Sequence, residues 1–232
     1  MTVSISRPPI VNRYHYPVYE RDTKESGERQ YVTPTGNLPS VTTILSATKD
    51  MTVLNAWRER IGDEEADKQV KNATDVGTLM HESVEDYILG RERRNGSNMI
   101  HKMARRMADN IINRGISNVN EIWGVEVPLY FPHAYAGTTD LVGVYNGAPA
   151  IMDHKNSKKI KKREWIEDYF MQGAAYALAH NELYQTNIQQ VVIFMSSRDY
   201  DYKTFIIEGD EFNEYCDKWI EKLENYFQMA AK

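Results

Sequence analysis

The chain has 232 residues, 28 Lys and Arg against 33 Asp and Glu for a formal charge of −5, and 41% hydrophobic residues. That size suits one domain with elaborations, and the apolar fraction is enough for a buried core, so a soluble globular protein is expected. Cys216 is the single cysteine, which excludes an internal disulfide and any four-cysteine zinc or iron–sulfur site and points to a reducing, cytosolic setting. No apolar run has the length of a membrane span. Met1 to Ile5 lack the charged-then-apolar order of a leader, so none is expected.

In chain order, Tyr14 to Arg21 and Arg29 to Thr33 flank the polar Asp22 to Glu28 and read as a strand–loop–strand hairpin. Pro34-Thr35-Gly36-Asn37 signals a turn. Ser40 suits a helix N-cap, although Thr43 stands where a capping box would have Glu. From Val41 to Tyr87 the spacing is helical, with breaks near Asp50 and at Gly62-Asp63. In its last part Val76, Leu79, Met80, Val84, Tyr87 and Ile88 share one face, and Gly90 is the stop. A further helix is expected from Ser97 to Arg114, ended by Gly115.

Alternation then takes over, with Trp123, Val125, Val127, Leu129 and Phe131 on one face of a strand. Short strands follow around Thr139–Tyr145 and Pro149–Lys155. A helix over Trp165–Leu183 precedes strands near Gln189–Ser196 and Tyr202–Ile207, and Asp210 is the expected N-cap of a last helix reaching Phe227. The order predicts an α/β (α+β) layered fold. Residues 1–115 would form a hairpin and helical elaboration and residues 116–232 the core, together one compact unit.

The chemistry concentrates between Asp140 and Lys155. Asn146-Gly147 between two apolar runs is a strong signal for a type I′ turn, which needs positive φ at both central residues. With that turn, Asp140 falls opposite Asp153, their Cβ atoms roughly 4.5–5.5 Å apart. Lys155 shares the face, about 6.6 Å along the strand. Facing carboxylates are destabilising unless compensated. A divalent cation such as Mg²⁺ or Mn²⁺ compensates them, and a nearby lysine suits a phosphate or its attacking water, so the set fits phosphodiester hydrolysis. The alternative is an exposed hairpin with a surface Asp–Lys pair, and a one-residue slip would separate the aspartates.

Six basic residues, Lys155, Lys158, Lys159, Lys161, Lys162 and Arg163, follow with no acidic one among them. A second group is Arg91, Arg93, Arg94, Lys102, Arg105 and Arg106. Such blocks are commonly solvated surface. Directly after the site, the first is placed to track a phosphate backbone. Tyr14, Tyr16, Tyr19, Trp57 and Trp165 are candidates for base stacking.

Gly137-Thr138-Thr139-Asp140 followed by Ile151-Met152-Asp153-His154-Lys155 resembles the Asp…(D/E)xK signature of RecB-type nucleases in the PD-(D/E)xK superfamily. Gly77-Thr78-Leu79-Met80-His81 is similar to the helical G-x-x-x-H motif of that group, Glu126 in Val125-Glu126-Val127-Pro128 fits its strand, and Gln172-Gly173-Ala174-Ala175-Tyr176 its Q-x-x-x-Y helix. Leu38-Pro-Ser-Val-Thr-Thr-Ile-Leu45 and Trp57 resemble the mitochondrial genome maintenance exonuclease branch and its phage-type relatives. The likeness runs over roughly residues 38–180.

The resemblance implies a restriction-endonuclease-like core, a mixed sheet flanked by helices. It also implies a Mg²⁺- or Mn²⁺-dependent DNA exonuclease favouring single strands or free ends, in the host cytoplasm if phage-encoded. Asp140, Asp153, His81, Glu126 and the carbonyl of His154 would hold metal, Lys155 would be the catalytic lysine, and Gln172 and Tyr176 would orient it or touch a phosphate. Lys158, Lys159, Lys161, Lys162 and Arg163 would meet the nucleic acid. The open alternatives are a structure-specific endonuclease and a catalytically silent binding module. Asn156 departs from the threonine common in the family. His81 alone would suit a structural helix position, Glu126 a solvent face, and Gln172 and Tyr176 ordinary packing.

Overall fold

In the computed structural model, residues 6–25 and 27–231 are described. The stretch where a leader would begin, residues 1–5, lies outside them. The order is β1 (Glu20–Thr23), β2 (Arg29–Thr33), β3 (Gly36–Pro39), α1 (Val41–Ala47), α2 (Thr52–Ile61), α3 (Asp63–Leu89) and α4 (Met99–Arg114), then β4 (Val119–Phe131), β5 (Tyr135–Tyr145), β6 (Ala148–Ser157), α5 (Glu167–Tyr184), β7 (Gln190–Ser197), β8 (Tyr202–Glu208) and α6 (Gly209–Ala230). No helix among the described residues is long and apolar enough to cross a membrane.

The main sheet has the order β4-β5-β6-β7-β8. All neighbours are antiparallel except β6 and β7, which are parallel. The long α5 makes that parallel crossover possible, returning the chain across one face. Every residue of β7 is buried, as befits an interior strand covered on both faces, where an apolar run replaces alternation. On one face Met80, Val84 and Ile88 of α3 and Met107 and Ile111 of α4 pack on Leu141, Met152, Val192 and Phe194. On the other, α5 lies against Val142, Ile151, Val191 and Ile193, with α1 and α6 closing over it. Both clusters draw residues from either side of Gly115.

Several local expectations appear in the backbone. Ser40 caps α1 by accepting from Thr43 N, Gly90 ends α3 in the left-handed region at φ 72°, and α2 and α3 meet at Gly62. Asn98 caps α4. Asp210 does not cap α6. Glu208 holds the cap position without a side-chain bond, and Asp210 lies in the first turn, where its charge favours the helix dipole.

Two strand expectations are corrected. The first strand begins at Glu20, not Tyr14, because Tyr14 and Tyr16 pack with His180 and Tyr184 in an aromatic cluster. Before them, Val11 N donates to Ile122 O at 2.8 Å and Ile122 N to Pro9 O at 2.9 Å, covering the edge of β4. Along β4, Trp123, Val127 and Leu129 face α5, but Val125 packs on the α3–α4 side. A bulge between Ile122 and Gly124 and a left-handed Glu126 (φ 50°) break the alternation.

A second, three-stranded antiparallel sheet, β1-β2-β3, rests on β5 through Tyr31, Leu38 and Ala136. Its first pair joins Arg21 with Tyr31 and Thr23 with Arg29.

Candidate active site

The β5–β6 ladder runs from Tyr145–Ala148 to Leu141–Met152, in the register that a two-residue Asn146-Gly147 turn requires. Both turn residues have positive φ, 49° and 86°. Beyond Leu141–Met152 the paired register stops, and His154 N donates instead to Asp140 Oδ2 at 2.6 Å. The two aspartates are thus register neighbours at a fork in the sheet, with α3 on one side of the fork and α5 on the other.

Asp140 faces α3. Its Oδ1 lies 3.3 Å from His81 Nδ1. Burial opposes its ionisation, but the His81 charge and hydrogen bond hold its carboxyl well below the usual carboxylate range. In return, Asp140 raises His81 to about 9 against the effect of burial. Glu126 lies opposite Asp140, between the pairs Val125–Leu141 and Val127–Thr139. Burial and the Asp140 charge push its carboxyl up to about 7. Ligating atoms of His81, Glu126 and Asp140 all lie within 4.8 Å of one another.

Asp153 serves a different partner. It is 3% exposed, and Lys155 Nζ lies 2.7 Å from its Oδ2 as an ion pair without good hydrogen-bond geometry. Burial and Asp140 shift its carboxyl upward, against the pull of Lys155. Lys155 Nζ donates to Gln172 Oε1 at 3.0 Å, and Gln172 Nε2 donates to Tyr176 OH at 3.3 Å. Burial would discharge the lysine, but Asp153 and Asp140 raise its pKa and keep it an ammonium.

The glycines of the motifs make room for these contacts. A Cβ at Gly77 would strike the Asn156 amide, so α3 approaches β6 closely at that residue. A Cβ at Gly137 would lie 2.7 Å from Tyr176 Cε1.

His154 directs its ring away from the carboxylates. The ring is buried between His81 and Phe194, with centroid separations of 5.7 and 5.8 Å, and burial lowers it to about 4. What the residue brings to the aspartates is its backbone N–H.

The site opens into a cleft of about 530 Å³. Asp140, Asp153, Lys155, His81, Glu126, Gln172 and Tyr176 all line it. The opposite wall carries Arg21, Arg29 and Tyr31 of the small sheet. Nothing in the local sequence marked these three, because only the docking of that sheet on β5 brings them there.

The basic run divides. Lys158 and Lys159 are exposed. Lys161 Nζ donates to Tyr169 OH at 2.7 Å, and Lys162 lies over the Trp165 ring at 5.4 Å. Arg163 is engaged elsewhere. Its Nη2 donates to both carboxylate oxygens of Glu211 at 2.6 Å and to Ile206 O at 2.7 Å, which ties the β6–α5 connection to β8 and α6. Of the aromatic candidates, Tyr14 and Tyr16 belong to the His180 cluster and Tyr19 packs on Tyr130 at 5.4 Å. Trp57 lines a groove of about 710 Å³ with Lys158, Lys161 and Tyr169, and Trp165 is exposed.

A five-stranded mixed sheet flanked by helices carries the Asp…Asp-x-Lys fork at its centre, the architecture that the resemblance implied. Sequence and fold comparisons both find exonucleases as similar proteins. The chain is 23% identical over 205 residues to mitochondrial genome maintenance exonuclease 1 of Homo sapiens, covering 82% of this chain and 58% of that relative. The chain therefore spans a little over half the length of the curated relative it matches. No protein-family model matches. Among solved structures, an exonuclease candidate from Eubacterium rectale aligns with a TM-score of 0.50 at 15% identity, covering 68% of this chain and 65% of that one.

Proposed function

We propose that the chain is a Mg²⁺- or Mn²⁺-dependent deoxyribonuclease that hydrolyses phosphodiester bonds from free ends, favouring single-stranded DNA. The observation that carries this reading is the His81–Glu126–Asp140 group, within 4.8 Å, beside the Asp153–Lys155 pair at 2.7 Å in one open cleft. The donor chemistry fits a divalent cation: one imidazole nitrogen and two carboxylate oxygens converge. His81, Glu126, Asp140, Asp153 and the carbonyl of His154 are the residues that would hold it. When bound, such a cation supplies Lewis-acid polarisation of a phosphate oxygen and acidifies water.

The chain's own groups do the rest. Lys155, charged and clamped between Asp153 and Gln172, stabilises negative charge developing on the phosphate. Gln172 and Tyr176 hold the ammonium in place. Lys158, Lys159, Lys161 and Lys162, with Trp57 and Tyr169 in the adjoining groove, suit a single strand, where cations follow phosphates and rings stack on bases. Arg163, tied to Glu211, has no part in this path. The exonuclease names of the relatives support the same reaction class.

The test uses end-labelled linear and circular single-stranded DNA with Mg²⁺, Mn²⁺ or EDTA. Loss of linear but not circular DNA, only with metal and not in Asp153→Ala, is expected. Cleavage of circles would select an endonuclease, and no cleavage a silent binding module. Cleavage surviving in Asp153→Ala would remove the proposed site. Independently of activity, Mg²⁺ at a hundred times its Kd stabilises by about 2.7 kcal/mol. At this size that is a rise in Tm of about 5–11 °C, absent in Asp140→Asn.

A further inference from the structure

The small sheet β1-β2-β3 has no role in the reaction chemistry above, yet it forms one wall of the cleft. Its pairing places Arg21 beside Tyr31 and Arg29 two residues before Tyr31. Side chains at those positions share one face of the sheet. That face is anchored: Tyr31 and Leu38 are buried against Ala136 of β5, and the Tyr31 hydroxyl lies 3.2 Å from Thr138 Oγ1, two residues before Asp140. The backbone of Arg29 is held as well, its N–H donating to Thr43 Oγ1 at 2.9 Å and its carbonyl accepting from Ser40 N at 2.8 Å. Two arginines are thereby carried on a rigid support into the cleft that holds Asp140 and Asp153.

Neither guanidinium has an ion-pair or hydrogen-bond partner among the described residues. The neighbouring Glu28 is taken by Lys24 at 2.9 Å, and Glu85 across the cleft by Arg91 at 2.8 Å. Arg29 also lines the adjoining recess of about 540 Å³ with Thr42, Thr43 and Ser46, so it stands where that recess meets the cleft. Unpaired guanidinium groups facing an acidic centre match the charge pattern of a bound polyanion, and their planar fork suits phosphate oxygens.

Resting on the nuclease reading of the same cleft, we infer that Arg21 and Arg29 form a phosphate-binding wall. They would hold two backbone phosphates of the DNA strand on the side of the scissile bond away from the lysine groove, and position the strand rather than act in the chemistry.

The experiment is a salt series of fluorescence-anisotropy titrations with a single-stranded oligonucleotide in EDTA, paired with steady-state cleavage in Mg²⁺. Each phosphate contact contributes about 0.7 to the slope of log K against log salt for single strands. Arg21→Gln/Arg29→Gln should therefore lower the slope by about 1.4 and each single variant by about 0.7. KM should rise about ten-fold or more while kcat stays within about two-fold. Arg21→Lys/Arg29→Lys should restore most of the slope, which a merely structural role would not do. Thermal melts identify any variant that fails to fold, and the single variants then carry the test. Lys203→Gln, on the edge strand β8, is the control and should leave slope and KM unchanged. DNA cleavage by the wild type with an unchanged slope in the folded glutamine variants would overturn this inference alone. A wild type that neither binds nor cuts DNA would sink the nuclease reading and the inference with it.

Discussion

Gly137→Ala tests whether the Tyr176–Gln172 relay positions the lysine. The added Cβ would sit 2.7 Å from Tyr176 Cε1 and 2.9 Å from its hydroxyl, well inside ordinary contact distance. Tyr176 is 3% exposed and lines the cleft from α5, so a ring pushed by the new Cβ shifts with its hydroxyl. Overpacking of this kind costs about 1–3 kcal/mol, or a fall in Tm of about 2–12 °C for a protein of this size. The displacement is passed on because Tyr176 OH accepts from Gln172 at 3.3 Å and Gln172 accepts from Lys155 at 3.0 Å. Misplacing a reacting group by about 1 Å can lower a rate about 10²-fold. Single-turnover cleavage and thermal melting in the same buffer separate the two effects. The expected result is a folded protein with a modestly lowered Tm and a rate down about 10–100-fold. A lowered Tm with a wild-type rate would refute the relay. Unchanged values of both would show that backbone movement relieves the contact, and the steric argument would fail with it.

Arg163→Gln should lower stability by about 1 kcal/mol, since its pair with Glu211 is roughly 40% exposed on each side, and should leave the salt dependence of DNA binding unchanged. A slope lowered as in Lys158→Gln would restore Arg163 to the binding surface. For the metal-free protein, His81 is raised to about 9 in the fold, above its ordinary value of about 6.5. Its stabilisation is complete below about pH 6.5 and is lost as pH rises through about 9. Glu126, raised to about 7, acts with the same sign over a lower range. Thermal melts in EDTA should show Tm falling from pH 6.5 to 9, less steeply in His81→Gln. A Tm that is flat or rises over that interval would contradict the His81–Asp140 pairing.

Local chemistry in the chain was enough for a large part of this protein. Asn146-Gly147 admits positive φ at both positions, and from that turn follows the β5–β6 pairing from Tyr145–Ala148 to Leu141–Met152, which leaves Asp140 and Asp153 as the next residues at the end of the ladder. Ser40 as a cap and Gly62 and Gly90 as breaks follow from backbone preferences that act within a few residues. Tertiary packing decided the remainder. The bulge at Trp123 and the left-handed Glu126 turned Val125 over, and that same kink sets the Glu126 carboxylate beside Asp140 and His81. Asp153 and Lys155 pair within β6, but His81 reaches Asp140 only because α3 packs there, and Gln172 reaches Lys155 only because α5 packs there. Arg163 left the basic run because α6 brought Glu211 within reach, and Arg21 and Arg29 joined the cleft because Tyr31 and Leu38 dock on Ala136. The physical reason is range. Turn and cap preferences act within a few residues, whereas a side chain's partner in three dimensions depends on contacts between residues more than a hundred positions apart, such as Tyr31 with Thr138.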